Sequence, residues 1–404
     1  MVCDSMSHGL ISRSPDLQRL RDEGFEVEES NGYLLVGHVP YVTPGRKVAF
    51  GTLASKLQLS GDATARPTDH VALWIGEHPC DAKGSPLMNL VNNPNLREEV
   101  RAGLVATCSF SQKPTEGYTD YYHKMTSYAG ILEGQALQLD ASVTARTFPV
   151  VKASEEESVF CYVDTASSRA GIVAISQKLQ KGRVAIVGLG GTGAYVLDFV
   201  AKTPVGEIHL FDGDGFLQHN AFRSPGAPGV EDLAMHPTKV EWFASTYSRM
   251  RRKIIPHPTY LTSANVTELA SMDFVFVCVD KGASRRTIVS FLLGQKVPFV
   301  DVGMGLNVQE GSLTGLVRAT TCTPSHSDHW GRRLPFSDGE DNEYGQNIQI
   351  SDMNALNAAM AVIKWKKLWG FYLDLEHEHH AVYGVASNVL TSDEGAEEKR
   401  ADST

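Results

Sequence analysis

The second half of the chain alternates short apolar runs with longer amphipathic stretches, and this alternation restricts the possible folds more than any other feature. The runs are 183–187, 207–211, 273–279 and 297–302, and the stretches include 191–202 and 284–295. A short apolar run without polar alternation is typical of a strand that is buried on both faces of a parallel sheet. The pattern therefore predicts a doubly wound α/β fold, extended by a strand at 311–320 and a long helix at 348–369.

A glycine-rich turn follows the first apolar run. Its sequence is Gly188-Leu-Gly190-Gly191-Thr-Gly193. Such glycines permit a tight turn and let backbone N–H groups approach phosphate oxygens at the N-terminus of a helix. Asp212 ends the next run, where a carboxylate can accept hydrogen bonds from ribose hydroxyls. The turn and Asp212 alone also fit the nicotinamide site of an oxidoreductase.

Charged and amide side chains follow Asp212 closely in the sequence. They are Asp214, Asn220, Arg223 and Lys239. Cations neutralise the charge that builds on a transferring phosphate and on leaving pyrophosphate, which a hydride transfer does not require. Asp280 follows the run 273–279, at the carboxyl end of a predicted strand, where ligands gather and a carboxylate can hold Mg²⁺. These residues favour nucleotidyl transfer.

Taken in order, these motifs resemble those of the ThiF/MoeB superfamily, which includes the ubiquitin-activating enzymes. The resemblance covers about residues 165–385. It implies a Rossmann-like, ThiF-type adenylation domain that binds ATP and Mg²⁺ and adenylates the C-terminal glycine of a ubiquitin-like protein. The nucleotide-binding residues that it implies are Gly188, Gly190, Gly191, Gly193, Asp212 on the ribose, Asp214, and Asn220, Arg223 and Lys239 on the phosphates, with Asp280 on Mg²⁺.

Three further features of the sequence bear on the family pattern. Arg169 resembles an arginine that reaches into the partner's site in family dimers. The resemblance implies a homodimer because family members usually pair through their adenylation domains. Ser224 stands where the family often has glutamine and is expected to alter packing rather than chemistry. The paired Cys-x-x-Cys zinc ligands of many bacterial members are missing, so no structural zinc is expected.

The acceptor of an activated acyl group is left open. Cys322 lies roughly where the family's acceptor cysteine can occur, and a mobile loop there would let it reach the adenylate. Arg318, four residues upstream, would lower the pKa of the Cys322 thiol by favouring the thiolate. A small packing residue is the alternative interpretation of Cys322. The alternative acceptors, which would form an oxyester, are Thr320, Thr321 and Thr323.

Residues 1–162 predict a separate α+β domain, ahead of the adenylation domain at 163–390 and a disordered polar tail at 391–404. Local signals predict a helix from Ser14, strands from Tyr33, Val48 and Val71, and a helix over 168–179. The N-terminal half resembles a domain of unknown function that precedes ThiF domains in bacterial operons for ubiquitin-like modification. That resemblance implies a biological context but no mechanism.

Three other polar segments of the sequence carry residues that could form a site. Five residues of the N-terminal half could gather into a metal or nucleophilic site or could have separate structural roles: His70, His78, Cys80, Cys108 and His123. Their spacing matches no ligand signature, which favours structural roles. Residues 110–123 form either a partner-binding loop or a surface loop with half-buried tyrosines. Residues 376–380 are interpreted as a solvated helix end rather than a metal site.

Composition and charge argue against several classes of protein and partner. Lys and Arg total 37 against 47 Asp and Glu, a net charge of −10, which disfavours nucleic acid and anionic membranes as partners. No apolar run approaches the length of a membrane span, and the N-terminus lacks a signal pattern. The six cysteines contain no Cys-x-x-Cys pair, and Cys278 is interpreted as strand core. A soluble, cytoplasmic protein is expected.

The leading hypothesis is ATP-dependent activation of a ubiquitin-like protein in a bacterial modification pathway, with acyl transfer to Cys322 or a hydroxyl and a conjugating enzyme as further partner. Two alternatives stay open: an NAD(P)-dependent Rossmann oxidoreductase, and a non-catalytic module that binds a ubiquitin-like protein.

Overall fold

The computed structural model describes residues 5–156, 158–336 and 348–393. Contacts within these residues form two compact units. The first comprises residues up to 156 together with 162–172, and the second comprises 158–161 and the described residues from 173 onward. Among the described helices, none is both long and apolar enough to cross a bilayer.

The first unit is built on an antiparallel sheet with the strand order β1-β2-β3-β6-β10-β7. Its helices are α1 (Ser5–Arg13), α2 (Pro15–Asp22), α3 (Tyr121–Ala136) and α4 (Thr165–Arg169). Its strands are β1 (Glu26–Ser30), β2 (Tyr33–Val42), β3 (Val48–Lys56), β4 (Leu59–Ser60), β5 (Ala63–Thr64), β6 (Val71–Ile75), β7 (Val91–Asn93), β8 (Glu98–Arg101), β9 (Leu104–Ala106) and β10 (Cys108–Ser111).

Aromatic side chains fill the core between this sheet and α3. The Trp74 ring meets Tyr41 edge-on with centroids 5.0 Å apart and stacks on Phe110 at 5.7 Å. Leu17 and Leu20 of α2 are completely buried in the same core, which confirms the amphipathic helix predicted from Ser14. Burying these large apolar surfaces is the main favourable contribution to the fold of this unit.

The second unit contains the predicted α/β arrangement. Its helices are α5 (Val173–Ser176), α6 (Gly191–Ala201), α7 (Gln218–Ala221), α8 (Val230–Ala234), α9 (Lys239–Ser248), α10 (Gly282–Gln295), α11 (Trp330–Arg333) and α12 (Ser351–Leu368). Its strands are β11 (Arg183–Val187), β12 (Glu207–Phe211), β13 (Ile254–His257), β14 (Phe274–Val277), β15 (Phe299–Gln309), β16 (Ser312–Cys322), β17 (His380–Gly384) and β18 (Val389–Asp393).

The strand order of this sheet determines where a ligand site can form. The order is β13-β12-β11-β14-β15-β16-β17-β18, parallel from β13 to β15 and antiparallel from β15 onward. Successive strands are added on opposite sides of β11, so the carboxyl ends of β11 and β14 flank the switch point of the sheet. Open α/β sheets bind ligands at this position.

Alternate side chains of the central strands pack on opposite faces. Phe274 and Phe276 of β14 lie in a core with α6 and α12, where Phe276 meets Trp365 edge-on at 6.0 Å. Val275 and Val277 lie in the core that includes α10 on the other face. Burial on both faces explains why the strand reads as a continuous apolar run, and the predicted parallel, doubly wound class is confirmed.

Three local predictions differ from the structure. The helix predicted over 168–179 is broken at Gly171, whose φ of +69° lies in the left-handed region. Residues 376–380 are a loop into β17 and not a helix end. Of the tail predicted as disordered, residues 391–393 end β18 and residues 394–404 lie outside the described part of the chain.

Candidate nucleotide-binding site

The glycine turn after β11 is shaped by contacts that exclude larger side chains at three of its four glycines. Gly188 has a φ of +88°, and a Cβ there would lie 2.7 Å from the Cys278 carbonyl oxygen. A Cβ at Gly193 would lie 1.8 Å from the Gly188 carbonyl oxygen, and one at Gly191 would lie 1.9 Å from Asn354 Nδ2. At Gly190 a Cβ would meet no atom within 4 Å. Gly190 therefore faces open space at the N-terminus of α6.

Asp212, at the end of β12, holds the turn in place. Its Oδ2 accepts the backbone N–H of Leu189 at 2.6 Å, and its Oδ1 accepts that of Asp214 at 2.8 Å. Lys239 Nζ lies 3.6 Å from Asp212 Oδ2. The carboxylate is only 6% exposed, so its immediate work is to order the backbone, and its predicted contact with ribose stays a prediction.

Asp214 and Lys239 form an ion pair beside Asp212. The Lys239 ammonium donates to Asp214 Oδ2 at 2.6 Å, and the Tyr260 hydroxyl donates to the other oxygen. Burial acts to raise the pKa of Asp214, but the hydrogen bonds from Lys239 and Tyr260 and the charges of Lys239 and Lys281 lower it overall. The same hydrogen bond raises the pKa of Tyr260 to about 12. Sequence reasoning missed Tyr260, which no motif singles out.

Asn220 and Arg223 each carry a buried donor that lacks an acceptor among the described residues. Asn220 is 3% exposed; its Oδ1 accepts the Leu217 N–H at 2.8 Å, whereas its Nδ2 has no partner there. Arg223 Nε is likewise buried and without a partner. Leaving a buried donor without an acceptor costs about 1–3 kcal/mol of folding free energy. Two such donors at the site are therefore consistent with residues that bind an anionic ligand.

Asn354 joins these residues to the glycine turn, and sequence reasoning missed it. Its Nδ2 donates to the Arg223 carbonyl at 3.1 Å, and its Oδ1 accepts the Thr192 hydroxyl at 3.0 Å. The side chain is completely buried at the start of α12. Asn354 therefore ties the long helix, the turn and the Arg223 segment into one rigid arrangement.

A buried charge network supports the segment that precedes Asp280. Asp301 accepts from Arg285 Nε at 2.9 Å and from an Arg318 amino group at 2.5 Å, and it is completely buried. Arg285 also donates to the Val279 carbonyl. Asp280 itself is exposed just beyond β14, so a carboxylate at the switch point is accessible to solvent.

The prediction that Cys322 lies in a mobile loop with a lowered thiol pKa is wrong in both respects. Cys322 is the last residue of β16, paired with Phe299 and only 1% exposed, and does not lie in a mobile loop. Burial, with a smaller contribution from Asp301, raises the pKa of its thiol to about 12, outweighing the opposite influence of Arg318. Arg318 is directed to Asp301 and the Thr320 hydroxyl, and these contacts favour the packing interpretation of Cys322.

The other candidate nucleophiles of this half are placed as follows. Thr320 and Thr321 are buried within β16, and Thr323 lies just beyond it with its hydroxyl 3.2 Å from Ser325 Oγ. Cys278 was predicted as strand core, but it directly follows β14 and is half-buried against the core that contains α6; burial raises the pKa of its thiol. Ser224 is buried, and its hydroxyl donates to the Asn220 carbonyl at 2.7 Å, a packing role.

The N-terminal candidates make separate local contacts. His70 Nε2 lies 3.0 Å from Ser111 Oγ, the Cys80 thiol donates to the His78 carbonyl, and His123 Nδ1 accepts the Thr119 N–H. Cys108 is buried in β10, which raises its thiol pKa to about 11. Within the segment 110–123, Tyr118 and Tyr121 are 3% and 0% exposed, so these tyrosines belong to the core and not to a partner-binding loop.

Arg169 ends α4 in the first unit with an exposed side chain. Its predicted reach into the site of a partner subunit stays a prediction.

Comparison with known proteins agrees with the motif analysis. Residues 166–363 match the ThiF family, and residues 15–165 match DUF6791, a domain of unknown function. The resemblance drawn from the motifs is thereby confirmed.

Individual relatives are distant. A curated relative, adenylyltransferase and sulfurtransferase UBA4 of Eremothecium gossypii, is 29% identical over 147 aligned residues, and the match covers 34% of this chain and 29% of the relative's length. Escherichia coli MccB with ATP is 17% identical with a TM-score of 0.44, covering 56% of this chain and 70% of MccB. PaaA is 15% identical with a TM-score of 0.42, covering 55% and 75%.

Proposed function

Residues 166–363 form a ThiF family domain, and from this premise we propose that the chain is an adenylyltransferase that uses ATP to activate the C-terminal carboxylate of a ubiquitin-like protein. The observation that carries the proposal is the pair of buried donors, Asn220 Nδ2 and Arg223 Nε, which lack acceptors among the described residues. Both belong to the segment that Asn354 joins to the glycine turn. A triphosphate supplies the anionic oxygens that such donors require.

The reaction is a nucleotidyl transfer. A carboxylate oxygen of the terminal glycine attacks the α-phosphorus of ATP and forms a new P–O bond, while the bond from the α-phosphorus to the bridging oxygen of the β-phosphate breaks and its electrons leave with pyrophosphate. Positioning and charge stabilisation provide most of the rate acceleration in such transfers. Arg223 and Lys239 are the cations that we assign to this stabilisation, and the N–H groups of the glycine turn are assigned to the phosphates.

Asp280 fits the expected metal role. It is an exposed carboxylate just beyond the carboxyl end of β14, and Mg²⁺ prefers oxygen ligands while keeping several waters. A bound Mg²⁺ would neutralise charge on the phosphates and pyrophosphate. Asp280 is held through its neighbour Val279, whose carbonyl accepts from Arg285.

The proposal ends at the adenylate. Transfer to Cys322 would require the end of β16 to open, because the thiol is buried and its pKa is raised to about 12. The ubiquitin-like substrate, a conjugating enzyme as further partner and a homodimer in which Arg169 acts in trans rest on the family resemblance. Light scattering tests the dimer, and a concentration-independent monomer would remove the proposed role of Arg169.

ATP–pyrophosphate exchange is the direct test. With Mg-ATP and a ubiquitin-like protein that ends in glycine, we expect exchange that requires both, and we expect Arg223→Gln and Asp280→Asn to abolish most of it. Lys202→Met is the matched control, because Lys202 is a half-exposed cation just after α6 that pairs with Asp198 outside the site. No exchange by the unsubstituted protein, or normal exchange by Asp280→Asn, would contradict the assignment.

A thermal-shift comparison distinguishes the proposed adenylyltransferase from an NAD(P)-dependent oxidoreductase and from a non-catalytic binding module. A ligand that binds the folded state raises the unfolding temperature with its concentration. We expect a shift with Mg-ATP and none with NAD(H). A shift with NAD(H) alone would support an oxidoreductase, and the absence of any nucleotide shift would support a non-catalytic binding module.

A further inference from the structure

Three histidine rings from two distant segments of the second unit meet beside β16. His326 and His329 lie in and after the turn that follows β16, and His379 directly precedes β17. The ring centroid of His326 is 5.0 Å from that of His329 and 4.3 Å from that of His379. We call these three residues the histidine cluster.

A carboxylate completes a compact set of donor atoms. One potential ligand atom from each of His326, Asp328 and His329 lies within 4.8 Å of the other two. Among the residues that the structure describes, no other group of three or more His, Cys, Asp or Glu side chains is this compact. Neighbouring donors around a tetrahedral Zn²⁺ are about 3.4 Å apart. These three side chains therefore have to close by at most about 1.4 Å to enclose an ion. His379 is not within 4.8 Å of all three and adjoins the set through its ring contact with His326.

Backbone carbonyls determine which ring nitrogens can ligate. His329 Nε2 lies 2.9 Å from the Thr321 carbonyl, and His379 Nδ1 lies 2.9 Å from the His377 carbonyl. A carbonyl only accepts, so these nitrogens carry the protons, and the lone pairs are on His329 Nδ1 and His379 Nε2. Metal-ligating histidines almost always donate their other N–H in this way, which sets the tautomer and the ring orientation.

His326 adds an independent observation. Its Nε2 is buried and has no hydrogen-bond partner among the described residues, although the residue as a whole is only half-buried. A buried ring nitrogen that neither donates nor accepts is unfavourable, and a metal ion would satisfy it. Asp328, in contrast, has 82% of its side chain exposed, which leaves a path by which an ion can enter.

We propose that His326, Asp328 and His329, with His379 as the fourth ligand, bind one divalent transition-metal ion of the Zn²⁺ class. Imidazole nitrogens favour such ions over Mg²⁺ and Ca²⁺, which prefer oxygen ligands alone. The bound ion joins the turn after β16 to the segment before β17. It revises the expectation of no structural zinc, which considered Cys-x-x-Cys pairs only, and it does not depend on the adenylation proposal.

Cobalt substitution is the test, because Co²⁺ occupies such sites and reports its ligands through visible absorption. Full-length protein is stripped with a chelator, dialysed and titrated with Co²⁺ under reducing conditions. We expect d–d bands that saturate at about one ion per chain and that added Zn²⁺ abolishes. A thiolate-to-cobalt charge-transfer band would instead place the Cys322 sulfur, 3.8 Å from His329 Nε2, among the ligands and overturn the proposed set.

Two histidine variants make the result specific. His326→Asn removes a half-buried ligand and is expected to weaken Co²⁺ binding at least about 10-fold. His377→Asn is the matched control, because that side chain is 62% exposed and only its backbone carbonyl meets the cluster. Circular dichroism of the stripped His326→Asn protein checks that it stays folded. Cobalt binding retained in folded His326→Asn, or no stoichiometric binding by the unsubstituted protein, would overturn the proposal.

Discussion

Replacing Gly190 with alanine separates ligand binding at the glycine turn from its packing. A Cβ at Gly190 meets no protein atom within 4 Å, and its φ of −66° is negative, although its ψ of −150° lies just beyond the usual β range. We expect the free energy of unfolding to change by less than about 2 kcal/mol. At Gly193, by contrast, the added Cβ lies 1.8 Å from a backbone oxygen that cannot move independently, so Gly193→Ala is expected to cost about 1–3 kcal/mol or more.

The effect of Gly190→Ala on ATP follows from the same open space. If the proposed phosphates lie against the turn, the methyl group occupies the side on which they approach and prevents at least one charge-assisted hydrogen bond from a backbone N–H. Such a bond contributes about 1.5–3 kcal/mol. The dissociation constant for ATP should therefore rise about 10- to 150-fold.

Isothermal titration with ATP and urea unfolding measure the two effects on the same proteins. Gly294→Ala is the control: Gly294 is an exposed position of α10 and its added Cβ meets no atom within 4 Å, so alanine should stabilise the helix by about 0.5–1 kcal/mol without affecting ATP. Unchanged ATP affinity in a folded Gly190→Ala protein would refute the assignment of the turn to phosphate binding.

Three further outcomes are expected. Asp301→Asn leaves two buried guanidinium groups without their carboxylate and should cost about 3–5 kcal/mol in urea unfolding; a loss below about 1 kcal/mol would mean that the pairs contribute little. Cys322 should resist thiol reagents at neutral pH while the half-exposed Cys161 reacts, and equal labelling rates would show that β16 opens readily. Burial lowers the pKa values of His209 and His257, so their neutral forms stabilise the fold above the ordinary histidine pKa, and that contribution is lost as the pH falls through the lower folded values. Thermal unfolding between about pH 5 and 7 should show this loss, and a His209→Gln protein with an unchanged pH dependence would contradict it.

Local sequence patterns were sufficient to predict the α/β fold of the second unit and several residues of the candidate site. The continuous apolar run of β14 predicts burial on both faces because helices cover a parallel sheet on both sides, and the glycine turn predicts where β11 ends and α6 begins. Asp212 and Asp280 were placed correctly beyond their strands from spacing alone. Each of these features depends on residues within one strand, one turn or one helix. Within such an element the regular spacing of side chains determines which face each residue occupies, so the sequence alone is informative.

Contacts between distant segments could not be read in this way. Asn354 reaches the glycine turn from a helix more than a hundred residues later, and His379 meets His326 only because β17 pairs with β16. Cys322 illustrates the same limit: its neighbour Arg318 suggested a lowered thiol pKa, whereas pairing of β16 with β15 buries the thiol and directs the guanidinium to Asp301. Burial and partner choice depend on which elements pack together, and that is a property of the tertiary structure because desolvation and hydrogen bonding act through space rather than along the chain.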